Sequence, residues 1–300
     1  MPDFTSIDLS VLHWVNGFAQ RDPVFDRAVA LLADATFVKG GFLFTYLWWV
    51  WFAKRGERQD NRTEVLRIFA GLVAALAIAR ALQVFLPGRL RPIHDASVGF
   101  MLPYGANPHI LEHWNSFPSD HAVIFFAIAT AIWRRSRLCG GLAYLWVLLF
   151  ACLPRVYLGY HYPSDVVAGA MIGTAIMVAA YAVPTNSASR WAADRVFGWE
   201  QLHPSMFYTL AFIATYQLVT LFDTVRTGGH AAGEFLEAAL LKPGHESGSK
   251  FVVLLLVGGA AAVAVVGLGR VALAARAAGG EGRPRDGRSF LSGLTPPSLI

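Results

Sequence analysis

Apolar residues run along this chain in long blocks, and charged residues are largely confined to the short stretches between them. Mostly apolar blocks fall near residues 36–53, 65–86, 119–134, 141–154, 166–183, 204–223 and 251–275. Stretches of 17 or more such residues recur, long enough as helices to cross a hydrocarbon core about 30 Å thick. The pattern predicts an all-α fold, a polytopic transmembrane bundle of about six to seven spans. Residues 7–34 read differently, because apolar and polar positions alternate around Asn16, Arg21, Asp22 and Asp26. That alternation predicts an interfacial amphipathic segment. The expected division is therefore an N-terminal segment (1–35), a membrane core (36–185), a C-terminal extension with two spans (186–275) and a tail (276–300).

Composition excludes a soluble enzyme. Of 300 residues, 55% are hydrophobic and 15% charged, with a mean hydropathy of +0.46. A soluble domain carries about a quarter charged residues. The start, Met1-Pro2-Asp3-Phe4, has no basic region ahead of an apolar run, so no cleavable signal peptide is expected. The net charge is +5, but its placement says more than its total. The 54–62 segment (KRGERQDNR) and the 134–137 segment (RRSR) are short basic loops, which stay cytoplasmic in an inner membrane. The tail with Arg276, Arg283, Arg285 and Arg288 joins them on that side. The 224–249 segment, with Gly228, Gly229, Pro243 and Gly244, reads as an outer loop between the last two spans.

Cys139 and Cys152 are thirteen positions apart, about 20 Å along one helix, too far for a disulfide. His109 and His113 would form half a zinc site if helical. Pro108 and the Gly105-Ala106-Asn107 turn predict a loop there instead. The small-residue runs from Gly169 to Gly173 and from Gly258 to Gly267 read as helix-packing surfaces. No metal, cofactor or nucleic-acid partner is expected.

Ionisable groups that an apolar chain has little reason to gather stand at the predicted ends of the spans. They are Arg91-Pro92, then Phe117-Pro118-Ser119-Asp120-His121, then Arg155 with His161 and Asp165. Their order and spacing resemble the type 2 phosphatidic acid phosphatase superfamily, whose motifs read K-x6-R-P, P-S-G-H and S-R-x5-H-x3-D. The chain departs from these at three places: Val84 stands where the lysine is expected, Asp120 replaces the glycine, and Pro154 replaces the serine. The resemblance covers roughly residues 65–185. The loops oriented by charge place all three motifs on the opposite, outer side.

The resemblance implies that His161 attacks phosphorus and forms a phosphohistidine. Asp165 would hold its other ring N–H, and His121 would protonate the leaving oxygen and then draw a proton from water. Arg91 and Arg155 offer planar donor forks for phosphate oxygens. The Ser119 hydroxyl and the Asp120 backbone N–H would add donors. Pro118 and Pro163 suit first helical turns, whose free N–H groups attract anions. Arg80 or Arg89 would supply the charge missing at Val84, with Arg89 favoured as nearer the mouth. The Asp120 side chain is expected to cap the helix or pair with an arginine.

The substrate would be a membrane lipid phosphate. A polyprenyl diphosphate such as undecaprenyl diphosphate is favoured for its charge over phosphatidic acid or phosphatidylglycerol phosphate. Two alternatives use the same anion pocket. One is a lipid-phosphate binder or transporter that does not hydrolyse. The other is a vanadate-dependent haloperoxidase, which the apolar spans argue against.

Overall fold

A computed structural model describes residues 4–53, 58–111, 114–184 and 186–221. The expected span at 251–275, the 224–249 loop, the basic tail, Gly258 to Gly267 and His113 lie outside the described residues, as do residues 54–57 of the expected 54–62 loop, whose remainder is helical. Among the described residues every regular element is helical. In chain order they are α1 (Phe4–Asn16), α2 (Pro23–Asp34), α3 (Thr36–Lys39), α4 (Thr45–Phe52) and α5 (Arg58–Phe85). After a long loop come α6 (Asp120–Arg135), α7 (Arg137–Tyr157), α8 (Pro163–Ala182), α9 (Ser187–Leu202) and α10 (Pro204–Val219).

Among the described residues three helices are long and apolar enough to cross a membrane: Gln59–Phe85, Arg137–Tyr157 and Pro163–Ala182. The expected 36–53 span is not one helix but α3, a 3-10 turn over Gly41–Phe44, and α4. Gly40 causes the break. Its φ of +154° disfavours a side chain, and a Cβ there would lie 2.7 Å from the Phe125 ring. The span expected at 141–154 is longer, because the Ser136 side chain caps it by accepting from Cys139 N. It also widens into a π turn over Val147–Cys152. Pro154 follows directly, with no N–H to give and a ring that crowds the carbonyl one turn back. Helix α9 falls where no element was expected. Asn186 caps it, and Glu200 ties it to Arg62 at 2.6 Å.

Helix α6 is the centre of the bundle and packs against α8, α7 and α5. Ala122 through Phe125 and Ala127 through Ala129 are inaccessible to solvent. The approach of α8 to α6 depends on small residues. A Cβ on Gly169 would lie 2.6 Å from the Ser119 carbonyl oxygen, and one on Gly173 would lie 2.0 Å from that of Val123. The expected packing role of Gly169 to Gly173 is therefore the observed one. The other face of α8 exposes Val167, Met171 and Val178, as suits a surface against lipid.

In the N-terminal segment three polar side chains are buried along with the apolar ones. Asp8, Asn16 and Asp26 are 5%, 4% and 0% exposed. Asn16 exchanges two hydrogen bonds with the backbone of Met101. Asp26 accepts from the backbone N–H groups of Gln20 and Tyr104 and from the Tyr157 hydroxyl. Helices α1 and α2 thus hold the loop between α5 and α6 against the end of α7.

Candidate functional site: two histidines between arginines

The loop from Leu86 to Ser119 delivers Arg89, Arg91 and Ser116, and Asn115 holds it in shape. The Asn115 amide donates to the carbonyls of Gln83 and Pro87. Its Oδ1 accepts from the N–H groups of Arg89 and Phe117. Gln83 reaches from α5 to the Pro118 carbonyl at 3.0 Å. One asparagine and one glutamine therefore fix the end of α5 to the start of α6. Neither stood out in the sequence, since isolated amides carry no spacing signal.

His161 lies between α7 and α8 and is 1% exposed. Its two neighbours decide its tautomer. Arg91 Nη1 lies 3.3 Å from Nε2, and a guanidinium can only donate. The Ser116 carbonyl lies 2.8 Å from Nδ1 and can only accept. The proton is on Nδ1, and Nε2 keeps its lone pair beside Arg91. Burial, and then the Arg91 charge, push the imidazole below its ordinary 6.5. The ring stays neutral, the form a nucleophile needs.

His121, on the first turn of α6, follows the same rule. Arg155 Nη2 donates to its Nε2 at 2.7 Å, and its Nδ1–H donates to Asp120 Oδ1 at 2.9 Å. Asp120 is the expected partner of an arginine as well, since its Oδ2 lies 3.0 Å from Arg80. The residue in the glycine's place is thus the carboxylate that orients His121.

Ser119 and Arg155 are 1% and 5% exposed. Among the described residues the Ser119 hydroxyl and the Arg155 Nε have no hydrogen-bond partner. Buried donors are normally satisfied, and the Arg155 guanidinium is also the one that meets His121. Arg91 spends its other contacts on the carbonyls of Tyr160 and Asn115.

Three expectations need correction. Asp165 does not meet the His161 N–H directly, because its Oδ2 is 3.8 Å from Nδ1. It accepts instead from Ser116 Oγ at 2.5 Å and from the Tyr162 N–H at 2.8 Å. Second, the added arginines face carboxylates. Arg80 is spent on Asp120 and on Gln83. Arg89 bridges Asp165 and Asp8, both at 2.6 Å, and lies over the Tyr162 ring at 3.9 Å. Third, the start of α8 is already filled by side-chain carboxylates. Pro163 is its first residue as expected, but Asp8 accepts from the Ser164 N–H at 2.7 Å and from its hydroxyl. Pro118 precedes the cap Ser119 and is not in the first turn of α6.

A cleft of about 380 Å³ opens beside this cluster, lined by Asp8, Arg89, Asp95 and Tyr162 among others. Two carboxylates against one arginine make it a poor anion site. The histidine pair, with two guanidiniums, is the better one.

Two tautomer-locked imidazoles, each beside an arginine, thus stand at the ends of apolar helices. The family model described as PAP2 superfamily matches residues 64–189. The bacitracin transport permease protein BcrC of Bacillus licheniformis is 28% identical over 177 residues, 57% of this chain and 77% of that one. The undecaprenyl-diphosphatase BcrC of Bacillus subtilis is 26% identical over 162 residues, 54% of this chain and 76% of its own. A lipid A 1-phosphatase of Rhizobium johnstonii is 33% identical over 111 residues, 35% of this chain, and the match spans 40% of that relative.

Proposed function

We propose that the chain is an integral membrane lipid phosphatase that works through a phosphohistidine on His161. The observation that carries this reading is the tautomer of His161, whose Nε2 lone pair faces Arg91 in a buried site. In the first step the Nε2–phosphorus bond forms while the bond from phosphorus to the leaving oxygen breaks. His121, protonated on both nitrogens once substrate is bound, gives the Nε2 proton to that oxygen. In the second step water attacks phosphorus, its proton goes to His121, and the nitrogen–phosphorus bond breaks. Arg91, Arg155 and the Ser119 hydroxyl hold the equatorial oxygens, where charge develops. Asp165 and Arg89 act behind His161 by fixing Ser116, Tyr162 and Ser164. These residues carry the chemistry without a metal.

A polyprenyl diphosphate is the favoured substrate, supported by the similarity to the undecaprenyl-diphosphatase of Bacillus subtilis. The pocket would open on the outer face of the inner membrane, as the basic loops at 54–62 and 134–137 require. The alternative, a binder or transporter that does not hydrolyse, has one relative's name in its favour. Phosphate release by detergent-purified protein from a panel of lipid phosphates, with EDTA present and His161→Ala alongside, separates the two. Release that survives EDTA and is lost in the variant supports hydrolysis, and the ranking of lipids names the substrate class. No release from any lipid overturns it in favour of binding.

A further inference from the structure

We infer that Asp120 is a positioning residue for the proton-donating histidine, held in place by Arg80, and that it decides which leaving groups the enzyme can expel. The inference rests on the phosphatase reading above. Its starting point is the paradox of a carboxylate inside an anion pocket, where a glycine would serve.

Asp120 is buried, at 6% exposure, and both its oxygens are used. Oδ1 accepts from the His121 ring at 2.9 Å and from the His121 backbone N–H at 2.8 Å. Oδ2 meets Arg80 at 3.0 Å. The Arg80 side chain is also fixed, by Gln83 at 2.9 Å and by the Leu221 carbonyl at 3.3 Å. A relay therefore runs from α5 through Arg80, Asp120 and His121 to Arg155.

Each member solves a problem set by another. His121 must carry two ring protons to act as an acid, yet Arg155 sits 2.7 Å from its Nε2 and opposes a second positive charge there. The Asp120 carboxylate beside Nδ1 offsets that repulsion. Its own charge would repel a phosphate, and Arg80 cancels it. The residue that restores a positive charge to α5, where the lysine is absent, thus acts on the histidine's carboxylate and not on phosphate.

The consequence depends on the leaving group. Attack on the terminal phosphorus of a lipid diphosphate expels a lipid phosphate, a stable anion that leaves with little help from a proton. Attack on a phosphomonoester expels an alkoxide, which must take the His121 proton as the bond breaks. Weakening the acid should harm the second reaction far more than the first.

The test compares phosphate release from farnesyl diphosphate and from dioctanoyl phosphatidic acid by the full chain in detergent. Asp120→Asn keeps the shape and removes the charge. Its kcat should fall by about 10²-fold on phosphatidic acid and by less than about 5-fold on farnesyl diphosphate. Asp120→Gly, the residue of the family motif, should show the same split and serves if the amide variant misfolds. Asp120→Glu should keep the ratio of the two activities near that of the unaltered protein. An equal loss on both substrates, or none on either, overturns the inference while leaving the phosphatase intact. An unaltered protein inactive on both substrates overturns both readings.

Discussion

The Nδ1–H of His161 donates to the backbone carbonyl of Ser116 at 2.8 Å, while the nearest oxygen of Asp165 lies a full ångström further away. His161 is thus aligned by main chain, and Asp165 shapes that main chain through the Ser116 hydroxyl and the Tyr162 N–H. Asp165→Asn should therefore lower kcat by about 10–100-fold with KM little changed, as for a partner once removed from the chemistry. His161→Ala should lose at least about 10⁴-fold. Steady-state rates on one lipid phosphate check both, and equal losses in the two variants would return Asp165 to direct contact.

The acid side of the pH profile should lie low. Burial and Arg91 depress the His161 pKa, so in the folded protein the ring stays neutral below pH 6.5 and gains its proton only on further acidification. The acid limb of kcat/KM should fall below 6.5, and Arg91→Gln should move it upward. The same shift has a stability cost. The unfolded chain takes up that proton first, so the fold loses stability as pH drops through the window below the ordinary histidine value. Ring carbon shifts of labelled histidine in detergent would follow the titration directly, and a midpoint above the ordinary value would refute it.

Arg89 joins three elements: its own loop, α1 through Asp8, and α8 through Asp165 and Ser164. Its side chain is 34% exposed, so solvent screens part of the interaction. Arg89→Ala should lower stability by about 1–2 kcal/mol, chiefly by leaving the Asp165 charge short of a partner. Asp8→Asn should cost less. Thermal melts in one detergent would show it, with Asp8→Asn closer to the unaltered protein.

Gly173 tests the helix contact beneath the site. A methyl group there would lie 2.0 Å from the Val123 carbonyl, closer than any relaxation of side chains can relieve. Gly173→Ala should cost about 1–3 kcal/mol, and since α6 carries Ser119 and His121 the activity should fall with it. Gly198→Ala, where nothing lies within 4 Å, is the control and should melt at or slightly above the starting temperature. A Gly173→Ala variant as stable as that control would mean the two helices do not meet as described.

Much of this protein was legible from its residues in order. The all-α class followed from apolar blocks, because a chain in hydrocarbon must satisfy its own backbone. Arg91, Ser119, His121, Arg155, His161 and Asp165 stood out as candidates because each is placed by spacing within a single loop or helix start. The break at Gly40 and the extra helix α9 were not, since one turns on the ring of Phe125 and the other on a cap and an ion pair with α5. Nor could sequence assign the partners of Arg80, Arg89 and Asp120. A charged side chain binds whichever opposite charge the packing brings within about 3 Å, and here Asp8, Asp120 and Asp165 were brought there from three separate helices. The sequence by itself determined which ionisable groups stand at the ends of the apolar blocks. Tertiary packing alone decided which arginines meet carboxylates, because that depends on where the carboxylates fall.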